Sequence, residues 1–299
     1  MHRRIILLLS VVLVCAVQSP AQQRMTPAQA RVAARGDAGE WNEIEPADMD
    51  TRALNERGRQ ALTLAGMNWK HAQTGHFVIH YEQAIFARKV ARMAEFFYSY
   101  IAEDLKGVTD RVDGRSHIFV FRSAKRWDDM RRQLGDMPEW TFSLVQGTTM
   151  LLQQADDTSR SGDILAHEMT HLVINRFFTG RLPIWLNEGL AEYYEEFAYS
   201  AMKGIKKSRK AQFRRLAAAY PLKEILMATD YPADTRQAVR FYETAKYLVG
   251  FLLLEQDQGK FLPFMEDMLK DSDTVAVFAR HYGLASMDEI EKAFRKFAY

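Results

Sequence analysis

His167, Glu168 and His171, inside His167-Glu168-Met169-Thr170-His171, are the residues whose types and spacing can do chemistry. On a helix, positions four apart share one face about a turn apart. Two imidazoles presented that way reach one Zn²⁺ at about 2.0–2.1 Å. Glu168 stands beside the first of them, where its carboxylate can take a proton from a zinc-activated water. Ser161-Gly162-Asp163 offers N-cap candidates before the run Ile164 to Phe178, and Gly180 and Pro183 close it. Ile164, Leu165, Met169, Leu172, Val173 and Phe177 recur near helical period and predict a buried helix. Two histidines and a glutamate buried there without partners would be costly, and one metal ion accounts for all three. A solvated histidine pair is the plainer alternative.

A catalytic zinc site takes three protein ligands and keeps a position for water. After Pro183, which suits the first position of a second helix, comes Ile184-Trp185-Leu186-Asn187-Glu188-Gly189-Leu190-Ala191-Glu192. Glu188 and Glu192 share a face, and Trp185, Leu186, Leu190 and Tyr193 predict that the helix packs inside the fold.

An HExxH pentapeptide followed by this Trp-Leu-Asn-Glu-Gly-Leu-Ala-Glu segment resembles the gluzincin zinc metallopeptidases. The resemblance implies that Glu188 is the third zinc ligand and that Glu192 hydrogen-bonds a ligating histidine, fixing its tautomer. Sixteen residues separate His171 from Glu188, slightly fewer than is usual in that group. Glu192 could instead be a surface acid, and Glu195 and Glu196 read as surface acids. Arg240-Phe241-Tyr242-Glu243-Thr244-Ala245-Lys246 resembles the Tyr-Glu-Lys-Gly helix of zinc aminopeptidases, although no glycine follows Lys246. This implies that Tyr242 donates to the oxyanion of the tetrahedral intermediate, stabilising charge that develops only in the transition state. Tyr247 is the fallback, and a core tyrosine the alternative. Ser143 to Gln154 reads as a strand broken by a bulge or turn at Gly147. It is either an ordinary sheet strand or the edge on which gluzincins hold extended peptides.

These residues need a scaffold. Gly75–Tyr81 alternates as a strand, Ala84–Leu105 has helical period, Ser116–Phe121 is a second strand and Ala124–Leu134 a helix. Past Ile184 the pattern is helical: Thr235–Gln256, Gly259–Leu269, Thr274–His281 and Ser286–Phe297. The fold class expected is α+β of zincin (gluzincin) type. Residues 69–180 form a mixed α/β half carrying the HExxH helix, residues 181–299 form a mainly helical half, and the cleft lies between them. His76 and His80 are also four apart, but in a strand that separates them by about 13 Å, so they are no second metal pair.

Residues 1–21 read as a signal peptide. His2, Arg3 and Arg4 precede the apolar stretch Ile5 to Val17, which is shorter than the about 20 residues that cross a bilayer, and Ser19-Pro20-Ala21 offers a cleavage site. Export to the periplasm or beyond follows, with no stable membrane insertion after cleavage; a retained anchor is the alternative. Cys15 is the only cysteine, and a lipoprotein reading of it lacks the small residue expected at Val14. The mature chain then has no disulfide, thiolate ligand or cysteine nucleophile, and about 280 residues suffice for a hydrophobic core. Residues 22–68 are polar and weakly patterned, and the folded unit is expected to begin near Trp69.

The formal charge of +2 falls to about zero without Arg3 and Arg4, so no global field points to nucleic acid. A basic run from Lys203 to Arg215 has no intervening acid. It reads as a solvated segment or as a contact for an anionic surface. Overall layout resembles the exported bacterial peptidase-MA-like proteins. The function expected is a zinc-dependent peptidase with one Zn²⁺ and a peptide or protein substrate. Endopeptidase action is favoured because no Gly-x-Met-x-Asn-like amine anchor precedes the HExxH helix. A zinc-bearing peptide-binding or chaperone-like envelope module is the alternative, and a non-peptide hydrolase a third.

Overall fold

A computed structural model describes residues 40–135, 137, 141–154, 160–213 and 215–299. The signal segment, Cys15 and the first part of the polar arm lie outside them.

The chain folds as α+β around one mixed six-stranded sheet of order β1-β2-β3-β4-β6-β5. Its strands are β1 (Asn42–Ile44), β2 (Lys70–Gln73), β3 (Phe77–Tyr81), β4 (Ser116–Phe121), β5 (Ser143–Gln146) and β6 (Thr149–Gln153). The β3–β4 and β4–β6 pairs are parallel, and the others antiparallel. Parallel central strands need both faces covered, and every residue of β3 and β4 is buried. Ile118 and Val120 point to a large core shared with α2 (Ala84–Asp104) and the helices beyond. Phe119 and Phe121, one residue out of phase, point to a smaller core under α1 (Glu56–Leu62) and α3 (Ala124–Leu134). Asn55 and Ser123 cap α1 and α3 by accepting from Gly58 N and Arg126 N.

The sheet starts earlier than Trp69. β1 pairs with β2, and Leu54, Ala61 and Leu64 are buried in the smaller core. The break expected at Gly147 is a hairpin turn: its φ of +58° closes β5 onto β6 with Gln146 opposite Thr149.

Eight α-helices follow among the described residues: α4 (Arg160–Phe177), α5 (Ile184–Met202), α6 (Arg209–Gln212), α7 (Leu222–Leu226), α8 (Thr235–Leu254), α9 (Phe261–Met268), α10 (Thr274–Tyr282) and α11 (Met287–Ala298). Helix α4 begins at Arg160, so Ser161-Gly162-Asp163 lie in its first turn rather than capping it. Buried Arg176 fastens its other end to the sheet. The guanidinium donates to Asp110 at 2.7 Å, to Ser116 Oγ at 3.0 Å and to the carbonyls of His76 and Gly114.

A second feature crosses the sheet. Register sets His71 opposite His80, and the rings form a chain: Nδ1 to Nδ1 at 2.8 Å, then His80 Nε2 to His117 Nδ1 at 2.9 Å. His76 turns instead to Glu95 at 2.7 Å, which agrees with reading His76 and His80 apart. Each N···N contact needs one N–H and one bare nitrogen, so the chain accepts one extra proton and a second must break a contact. Burial lowers His80 well below its ordinary value, His117 to about 4, and His71 as well; Asp50 and Glu45 oppose this at the two ends. The unfolded chain therefore binds more protons between about pH 6.5 and pH 4, and stability falls as pH drops through that window. His117 alone accounts for about 3 kcal/mol. Urea unfolding should show this loss between about pH 7 and pH 4.5, with His117→Leu flattening it. Equal slopes for the two proteins would remove the histidine chain as the cause.

Candidate metal centre

The i,i+4 spacing on α4 brings His167 and His171 to one face, ring centroids 4.9 Å apart. Helix α5 runs alongside and carries Glu188, which is only 4% exposed. Glu188 Oε2 lies 3.3 Å from His167 Nε2 and 3.5 Å from His171 Nε2. One ligand atom from each of the three residues falls within 4.8 Å of the others. The edge of a tetrahedron with bonds of about 2.0–2.1 Å is about 3.3 Å, so the two separations fit ligands that could share a zinc ion. Two neutral imidazole nitrogens and one carboxylate oxygen also make a donor set suited to that ion.

Charge around the donors favours a cation. Burial works against charge on Glu188, yet the His171 and His167 rings hold its carboxyl well below the usual range. Burial likewise opposes a charged His167, and Glu188 and Glu195 override it, pushing that ring well above its ordinary value. Proton and metal compete for the same Nε2, so a field that attracts one attracts the other.

The far side of His167 departs from expectation. Its Nδ1 is 3.2 Å from Glu195 Oε2 and 3.6 Å from Glu192 Oε1. Glu195, read from the sequence as a surface acid, is thus the hydrogen-bond acceptor, and Glu192 is the farther carboxylate. Positions 188, 192 and 195 follow one helical face, so the signal was available in the spacing. A proton on Nδ1 leaves the Nε2 lone pair facing the centre. Burial and then the Glu195 charge push Glu192 up to about 7. His171 Nδ1 is buried without a hydrogen-bond partner among the described residues. Glu196 is no free surface acid either: it pairs with Lys246 at 2.6 Å and Lys207 at 3.1 Å.

Glu168 is half-buried one residue along α4, and its charge adds to those that raise Tyr242 and Tyr231. Tyr242 projects from α8 beside the centre, its ring centroid 6.4 Å from that of His167. Burial, then the Glu188 charge, push its phenol far above the ordinary value, so it stays a donor at any ordinary pH. Tyr247 is buried, with its hydroxyl donating to Gln212 O at 3.3 Å, and takes no part. Tyr231 is a residue that no sequence motif pointed to. Its hydroxyl donates to Glu188 Oε1 at 2.8 Å and its ring stacks on Tyr242 at 6.3 Å, 9° from parallel.

The basic run is partly internal to the fold. Arg209 pairs with Asp104 at 2.6 Å, Lys207 with Glu196, and Lys203 lies 3.8 Å over the Tyr199 ring. Arg214 lies outside the described residues. No helix among the described residues is long and apolar enough to cross a membrane. No protein-family model and no curated protein matches the chain, which leaves this donor set as the observation that carries function.

Proposed function

We propose that this chain is an exported zinc-dependent metallopeptidase of gluzincin type, acting as an endopeptidase on peptide or protein substrates. The observation that carries the reading is the pair of separations, 3.3 and 3.5 Å, from Glu188 Oε2 to the two Nε2 atoms. His167, His171 and Glu188 would hold the ion. Bound there, zinc supplies Lewis acidity, acidifying water and polarising a scissile carbonyl. Glu168 takes the proton from the attacking water and returns it to the leaving amine. Tyr242, kept protonated by burial and by Glu188, donates to the oxygen on which negative charge develops. Glu195, with Glu192 behind it, holds the His167 proton on Nδ1. Strand β5 ends the sheet beside α4, and its outer edge suits an extended peptide.

Incubating the purified protein with a mixed peptide library, with and without a zinc chelator, tests the proposal. Cleavage products that vanish with chelator and return with added zinc are expected. Zinc bound with no cleavage would favour the binding-module alternative.

A further inference from the structure

Glu188 has two carboxylate oxygens, and only one faces the histidines. Oε2 is the atom within 3.5 Å of both Nε2 nitrogens. Oε1 is turned the other way and is engaged by the Tyr231 hydroxyl at 2.8 Å, with Asn187 Nδ2 a long 3.4 Å away. Tyr231 sits in the segment between α7 and α8, next to Pro232, which disfavours helical backbone at this residue. Its amide is tied to Asp230 Oδ1 at 2.8 Å and its ring packs edge-on against Phe241 and parallel to Tyr242. The phenol is therefore aimed by backbone and by two aromatic neighbours, not by Glu188 alone.

We infer that Tyr231 is a positioning residue for the metal centre: its hydroxyl holds Glu188 so that the carboxylate offers one oxygen, not two. The inference rests on the zinc reading of His167, His171 and Glu188. A carboxylate free to rotate can chelate through both oxygens and fill the position that a catalytic site leaves for water. With Oε1 engaged by the Tyr231 hydroxyl and turned away from both Nε2 atoms, that second mode is disfavoured. The stacking on Tyr242 adds a second consequence, because one loop residue then steadies both the third ligand and the oxyanion donor.

Tyr231→Phe keeps the ring and its packing and removes only the hydroxyl. Zinc affinity, measured by competition with a chromogenic chelator, should fall about 10–100-fold, the range for a lost hydrogen bond to a ligand. The metal-free melting temperature should fall only slightly, by the loss of one buried hydrogen bond. In the cobalt-substituted protein the visible band should weaken, as it does when four-coordinate cobalt gains a fifth ligand. In a Glu188→Ala background the same Tyr231→Phe change should have no further effect on zinc affinity. Wild-type and Tyr231→Phe proteins with equal zinc affinity and equal cobalt spectra would overturn the inference while leaving the site reading intact. An additive effect in the Glu188→Ala background would also overturn it, since Tyr231 would then act by another route. A wild-type protein that binds no zinc would overturn the site reading, and this inference with it.

Discussion

Glu168→Gln is expected to bind zinc as the wild type does and to hydrolyse peptides about 10²–10⁴-fold more slowly, the range for removing a general base. Glutamine has nearly the shape of glutamate, so α4 and its neighbours should pack unchanged. It cannot accept a proton at neutral pH, so the loss should fall on turnover and not on substrate binding. The proposed metal ligands, His167, His171 and Glu188, are unaltered. Zinc content and kcat measured on one preparation separate the two roles. Turnover equal to wild type would remove Glu168 from the proposed chemistry.

Gly189→Ala should be strongly destabilising although it adds only one methyl. Gly to Ala within an exposed helix normally stabilises by about 1 kcal/mol. Here α5 crosses α8 with Gly189 against the backbone of Ala245. An added Cβ would overlap the Ala245 carbonyl oxygen, lie 2.7 Å from its carbon and 2.8 Å from Val249 Cγ2. Neither backbone atom can rotate away, so the helices must separate. Overpacking of this kind costs about 1–3 kcal/mol and sometimes more, which outweighs the gain in propensity. The neighbouring Glu188 would shift with α5, while Tyr242 belongs to α8. Urea unfolding should therefore show a loss of about 2 kcal/mol or more, and zinc affinity should drop with it. A variant as stable as wild type would mean that the helices are not held this close.

Features that depend on spacing along one element were legible in the sequence. His167, His171 and Glu188 converge because helical spacing puts them on facing surfaces, and a turn containing Gly180 and Pro183 brings α5 back beside α4. β4 and α3 fall on the expected residues because their apolar period is unbroken. Features that depend on contact across the fold were not. Tyr231 lies 43 residues beyond Glu188 in a connecting segment with no periodic pattern, so nothing local marks it as a partner. The His71–His80–His117 chain is set by strand register, which one sequence does not specify. β1 carries no strand signal in the sequence because its three residues are polar or half-exposed at the sheet edge. Glu195 is the intermediate case: its helical spacing from Glu188 was visible, but a run of acids reads as solvated until the facing helix supplies a histidine.

Two imidazoles and one carboxylate of this chain are proposed to hold a single zinc ion. X-ray absorption at the zinc edge of the purified full-length protein tests this most directly. One zinc per chain is expected, with two nitrogen and two oxygen donors at about 2.0–2.1 Å, the second oxygen being water. His171→Ala and Glu188→Ala should each lose the ion or lose one donor of the matching type. A protein that retains no zinc, or one whose metal shell is unchanged when both residues are replaced, would contradict the account.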